Sequence, residues 1–301
     1  MRTQALAAVA IVVVAVCSPA VSAADVSKSP TLSRIKESGA ISIGHRTSSI
    51  PFSYYDANQK VVGFSQDICD RVIAAVKKEA GVSTLQVRMI PVTSQNRISL
   101  VQNGTVDLEC GVTTNLKSRQ QQVAFSTTFF VAGTRLLVKK DSPVRDFSDL
   151  AGKTVVTNAG TTSERILRRL NDEKKSNITV QSAKDYGESF LILQSGRVAA
   201  FMMDDVLLSG AKTLAPNPSD WTVVGTPQSY EAYGFMMRKE DPEFKKVVDS
   251  TITALMKSGE INAMYDKWFN KPVPPKNISF DFPMSGAVKK AYEQPNDEAF
   301  E

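Results

Sequence analysis

Strand and helix patterns alternate along this chain in two sets, and the second set lies inside the first. Short strand-like runs at 41–44, 87–91 and 106–109, with helical patterns at 67–80 and 98–101 between them, make the first set. Strand runs at 135–139, 154–157, 178–181, 198–203 and 221–224, with helical patterns after Thr161 and over 186–195, make the second. Near Tyr233-Gly234 the chain returns to a pattern like its start, then ends in amphipathic helices over 243–258 and 260–269 and a Pro-rich tail. Strands separated by helices imply sheets covered on both faces. Two nested sets therefore predict two α/β domains joined by two extended crossings, near Val131-Ala132-Gly133 and Glu231-Ala232-Tyr233. Paired crossings between lobes make a hinge. The first lobe is expected from residues 24–131 and 232–301 and the second from 132–231, and 301 residues are enough for two cores.

The most informative stretch is TSQNRISLVQNGTVDLECGVTTNLKSR, residues 93–119. A Ser-Gln-Asn-Arg cluster opens a short helical run, Asn103-Gly104 turns the chain, and Val106 and Leu108 alternate with Asp107 and Glu109 as in a half-buried strand. Asn115 is a good N-cap for the next helix. Arg97 and Arg119 flank this strand end. Strand ends that face helix starts are where open α/β sheets bind ligands, and helix N-termini favour anions. A second such place is Asn158-Ala159-Gly160-Thr161-Thr162-Ser163-Glu164, where Thr161 and Glu164 have capping-box spacing.

Composition narrows the classes. The chain is 42% hydrophobic and 22% charged, an ordinary globular balance, with a net charge of +5. No Lys/Arg run or aromatic-basic interleaving points to nucleic acid. Arg2 precedes an apolar run at 5–16, short for a membrane span, and Val21-Ser22-Ala23 fits a cleavage site. Residues 1–23 therefore read as a signal peptide. A lipoprotein signal at Cys17 is disfavoured by Val16 before it. Cys69 and Cys110 remain in the mature chain, as a disulfide or as two buried thiols.

The runs GHRTSSIPFSYYDANQKVVGFSQD, IPVTSQNRI, LVQNGTVDLECGVTTN, GTTSE, SAKDYGESF, VAAFMMDD, EAYGFMMRK and VPPKN carry a resemblance that covers nearly the whole mature chain. The chain resembles the extracytoplasmic solute-binding proteins of amino-acid ABC transporters, family 3, and most of all the glutamate/aspartate binders of Gram-negative bacteria. The resemblance implies the two-lobed α/β periplasmic-binding-protein fold of type II, with capture of L-glutamate or L-aspartate between the lobes. It also implies delivery to an inner-membrane permease, a periplasmic location, a monomer, no cofactor and no catalysis. It assigns Arg119 and Thr114 to the ligand α-carboxylate, Asp204 to the ammonium, and Arg46, Arg97 and Ser94 to the side-chain carboxylate. Thr161 and Thr162 supply an anion contact from the second lobe. Arginine suits this work because its planar fork is permanently charged.

Three positions depart from the pattern. Val112 stands where a serine is common and leaves only its backbone carbonyl. Tyr186 replaces a histidine at the side-chain carboxylate, where a phenol still donates one hydrogen bond. Phe235 replaces a cysteine, so Cys110 cannot pair with that position. Read singly, Arg119 is better taken as a solvated helix residue, Arg46 as an exposed strand-end charge, Asp204 or Asp205 as a helix cap, and Thr161 as a capping residue. His45, the only histidine, reads as structural. Two alternatives stay open: an enzyme on the same fold, similar to cyclohexadienyl or arogenate dehydratases, and a binder of glutamine or another amino acid.

Overall fold

A computed structural model describes residues 25–300, and the expected signal peptide lies outside them. In chain order the strands are β1 (Ala40–His45), β2 (Ser48–Ser49), β3 (Ser53–Tyr55), β4 (Val61–Val62), β5 (Gln86–Pro91), β6 (Leu108–Thr114) and β7 (Ala124–Phe125). They continue with β8 (Phe130–Ala132), β9 (Thr134–Lys139), β10 (Thr154–Asn158), β11 (Thr179–Ala183), β12 (Ala200–Asp204), β13 (Trp221–Val224) and β14 (Glu231–Met237).

One sheet runs β5-β1-β6-β14-β7 and the other β11-β10-β12-β9-β13. The two have the same plan. In the first, β1 is parallel to β5 and β6, and β14 lies antiparallel against β6. In the second, β10 is parallel to β11 and β12, and β9 lies antiparallel against β12. β14 belongs to the first sheet although it follows the whole second sheet in the chain. That placement realises the nested pattern. The chain leaves the first sheet through Gly133 and returns at Glu231. The two crossings pair antiparallel, Glu231 with Ala132 and Tyr233 with Phe130. A Cβ on Gly133 would sit 2.9 Å from Pro227, so only glycine fits where the crossings approach each other.

Helices cover the sheets for local reasons. Phe64–Glu79 buries Ile68, Val72 and Val76, an i, i+4 stripe. Pro242–Ser258 starts with Pro at its first turn and Asp241 accepting from the Phe244 amide, and ends at Gly259 in the left-handed region. An aromatic cluster under β14 packs Phe52, Phe64, Phe130, Tyr233, Tyr265 and Phe269 edge to face and stacked.

Several expectations are corrected. The strand read as half-buried is β6, and all seven of its residues are buried, because β14 completes the sheet beside it. Asn115 does not cap the following helix, Lys117–Gln120; its amide donates to the Asp297 carbonyl. Glu164 reaches back to the Gly160 amide rather than to Thr161, so the capping box is displaced by one residue. The C-terminal segment is more than a Pro-rich tail. It contains the helix Gly286–Glu293, whose Tyr292 hydroxyl donates to the Phe129 carbonyl. The Cys69–Cys110 alternative resolves as a disulfide joining the helix Phe64–Glu79 to β6.

Candidate functional site

The ends of β1, β5, β6, β10 and β12 face one cleft between the sheets. On the first-sheet side Arg46 follows β1, Ser94 precedes the helix Arg97–Gln102, Val112 and Thr114 end β6, and Arg119 lies on Lys117–Gln120. These five and Arg97 are all buried, at 9% exposure or less. The solvated alternative for Arg119 is thereby excluded. On the second-sheet side Thr161 caps the helix Thr162–Lys174, Tyr186 opens Tyr186–Gln194, and Asp204 ends β12. The ten residues singled out in the sequence thus lie at the two faces of one cleft.

The three guanidinium groups hydrogen-bond to neutral oxygens. Arg46 donates to the Ser94 hydroxyl at 2.9 Å, Arg97 to the Val112 carbonyl at 3.2 Å, and Arg119 to the Thr114 carbonyl at 2.9 Å. Neutral acceptors hold a guanidinium in place without cancelling its charge. The Nε of Arg97 is buried and has no hydrogen-bond partner among the described residues. Burial pushes the Arg97 guanidinium down, Glu109 pulls it up and Arg46 pushes it down again. Burial and then Arg97 push Arg119 down to about 9, which leaves it charged at neutral pH.

Cross-cleft contacts are few and direct. Arg119 also donates to the Gly160 carbonyl at 3.3 Å. The Arg46 guanidinium lies 5.1 Å above the Tyr186 ring, a cation–π geometry. Gly160 has φ of +78°, and a Cβ there would come within 3.0 Å of Ser94 and Gln95 backbone atoms. A cavity of about 410 Å³ is lined by Arg119, Gly160, Thr161, Thr162 and Arg165.

Asp204 is held by Tyr233 and by Thr134 at 3.1 Å. Burial raises its carboxyl well above the carboxylate range and Glu231 raises it further, while those hydrogen bonds oppose. Asp204 makes no capping bond; Asp205 accepts from the Val206 amide instead. Thr161 uses its hydroxyl locally, donating to the Asn158 carbonyl at 2.7 Å and accepting from the Glu164 amide.

Four residues of the site escaped sequence reasoning: Glu109, Thr134, Glu231 and Tyr233. Glu109 is fully buried beneath Gly111, where a Cβ would clash with its carboxylate at 2.1 Å, and supplies negative charge near Arg97. Glu231 accepts from Thr114 of the first lobe at 2.6 Å and Thr162 of the second at 2.8 Å. The available signal was an acidic residue in an otherwise apolar strand, EAYGFMM.

Two lobes of matching plan, joined by paired crossings and presenting charged groups to a shared cleft, define a two-lobed α/β solute-binding protein of the type II periplasmic fold. The chain belongs to the bacterial extracellular solute-binding proteins, family 3, which match it over residues 41–271. It is 54% identical over 269 residues to the glutamate/aspartate import solute-binding protein of Escherichia coli (strain K12), with 89% of each chain covered. It is 56% identical over 272 residues to the L-glutamate/L-aspartate-binding protein of Pseudomonas aeruginosa, with 90% of each covered. Among solved structures it is similar to an ancestral amino acid-binding protein described as a precursor of cyclohexadienyl dehydratase, at TM-score 0.68 and 29% identity, covering 79% of this chain and 99% of that one.

Proposed function

We propose that this protein is a periplasmic receptor that closes on L-glutamate or L-aspartate and delivers it to an inner-membrane ABC permease, after removal of residues 1–23. Residues 24–131 and 232–301 form one lobe and 132–231 the other. Arg119 takes the α-carboxylate together with the Thr162 and Ser163 amides, which the helix's own ladder leaves unpaired. Arg46, Arg97 and Ser94 take the side-chain carboxylate, with Tyr186 against Arg46. Asp204 takes the ammonium, with Thr114 beside it. The Val112 carbonyl positions Arg97.

The observation that carries this reading is the set of three buried arginines bonded to neutral oxygens, facing one buried aspartate across the cleft. Two carboxylates and one ammonium complete that charge set. The experiment is titration calorimetry with glutamate, aspartate and glutamine. Replacing the side-chain carboxylate with an amide leaves Arg46 without an anion and Arg97 with only the buried Glu109 near it. An uncompensated buried charge costs about 3–5 kcal/mol, or two to four decades in affinity. Equal affinities for glutamate and glutamine would sink the assignment. The enzyme reading has one supporting observation, a buried carboxyl raised above its ordinary range by burial and by Glu231, the direction a general acid needs. Turnover of prephenate or arogenate by the purified protein would establish it; the receptor reading predicts none.

A further inference from the structure

Thr114 and Thr162 sit on opposite lobes, yet both hydroxyl protons go to one oxygen, Oε2 of Glu231, at 2.6 and 2.8 Å. A hydroxyl has a single proton and two acceptor lone pairs. Once that proton is committed, each threonine can only accept. Neither hydroxyl is then a donor to a ligand carboxylate, as the resemblance implied for Thr114. The second oxygen, Oε1, lies 3.5 Å from the Thr134 hydroxyl, which is closer to Asp204, at 3.1 Å, and accepts from Ser229 at 2.8 Å. Thr134 therefore gives its proton to Asp204 and leaves Oε1 poorly supplied. The corner of the cleft where the lobes meet the hinge thus holds two buried carboxylates and two acceptor hydroxyls.

We propose that Glu231 is the second acidic partner of the ligand's α-ammonium and, by orienting Thr114 and Thr162 as acceptors, makes closure of the lobes depend on a cationic group at that corner. The inference rests on the amino-acid reading above and adds to it a residue with a defined role. An ammonium has three N–H donors, and Asp204 alone does not satisfy them. Neither Asp204 nor Glu231 makes an ion pair with a cationic side chain among the described residues, although Arg119 lies near enough to feel both. A buried pair of like charges with acceptor neighbours is stabilised by a cation placed between them. Glu231 also lies on the crossing itself, paired with Ala132. A ligand held there tethers the hinge and both lobes through one side chain.

The test compares glutamate with glutarate, which keeps both carboxylates and lacks the ammonium, by calorimetry on the wild type and on Glu231→Gln. The wild type should favour glutamate strongly. Glu231→Gln should weaken glutamate and leave glutarate unchanged or tighter, so the ratio falls by about 10- to 100-fold. Glu231→Asp keeps the charge and should retain most of the discrimination. A purely structural role predicts that both ligands weaken alike and the ratio holds, and that outcome would overturn the proposal. Should Glu231→Gln fail to show a cooperative melt, Thr162→Val gives the same reading on a smaller scale: the ratio falls several-fold, and an unchanged ratio again overturns it. If the wild type binds neither ligand, the receptor reading itself has failed, a result distinct from binding with an unaltered ratio.

Discussion

The two walls of the cleft are built alike and charged oppositely. Each is made of strand ends from a sheet with one antiparallel strand inserted among parallel ones. The first wall carries Arg46, Arg97 and Arg119, all buried. The second carries Asp204 and a helix start with a neutral cap. The first wall is also braced, by Cys69–Cys110 and by the aromatic cluster around Phe130, while the second has no disulfide among the described residues. Buried cations repel one another and are costly to desolvate. Covalent and aromatic bracing holds them where helix packing alone would let them splay. The second wall bears less charge and, on the proposed receptor reading, is the one that closes onto the ligand. A braced cationic wall facing a less charged one suits a molecule with more negative than positive groups, as the proposed function requires.

The strongest way to break this contrast is to discharge the first wall. Arg119→Met should cost about 3–5 kcal/mol of glutamate binding, because the α-carboxylate loses its charged partner inside a dry cleft. Calorimetry would show a loss of two decades or more, and a tenfold loss or less would mean that Arg119 is not the main anchor. Next comes the brace. The pair Cys69→Ser with Cys110→Ser should lower stability by about 2–4 kcal/mol, since the bridge closes a loop with a sequence separation of 41. Glutamate affinity should stay near the wild-type value, because neither sulfur faces the ligand. A collapse of affinity without loss of stability would move the disulfide into the binding machinery.

Asp204 sharpens the contrast from the other side. Its carboxyl is raised in the folded protein, by burial first and Glu231 second. A group raised in this way binds its proton more tightly folded than unfolded. Its ionisation therefore lowers stability as pH climbs from the ordinary carboxylate range through the raised value. Without ligand, Asp204→Asn should melt above the wild type at neutral pH, and the gap should close on acidification toward the ordinary aspartate range. With glutamate the same variant should lose about 1.5–3 kcal/mol of binding, the worth of a hydrogen bond to a charged group. A variant that is less stable at neutral pH and equally tight would refute the role. The smallest effect is expected at the contact between walls. Gly160→Ala places a Cβ within 3.0 Å of Ser94 and Gln95 backbone atoms across the cleft, at a φ of +78° that strains any side chain. Overpacking of this kind costs about 1–3 kcal/mol, and here it should fall on ligand affinity and on the ligand-induced change in radius of gyration. Some loss of stability is expected from the left-handed backbone alone, so full affinity in this variant is the result that would show that the walls do not meet at Gly160 on closure.

Much of this was legible beforehand. The nested strand pattern shows in the sheets, where β14 joins the first sheet after the whole of the second, and the ten residues singled out fall at strand ends or helix starts, because α/β sheets present those ends together. The exposure of β6 was misjudged from its alternation. Glu109 and Asp107 look like a solvent face, but Glu109 is buried near Arg97 and Asp107 pairs with Arg34 and Arg238. Alternating polarity cannot distinguish water from a buried counter-charge.

From the chain alone followed what depends on local order: which segments pair or coil, which turns carry arginine, and that the second set of strands is enclosed by the first. What only the folded molecule decided depends on which distant residues meet. Cys69 and Cys110 pair because the helix Phe64–Glu79 packs across β6. Glu231 receives protons from Thr114 and Thr162, 117 and 69 residues away, because the crossing that carries it runs between both lobes. Proton direction decides whether a hydroxyl serves an anion or a cation. Direction is a property of the assembled hydrogen-bond network, and no spacing along the chain encodes it.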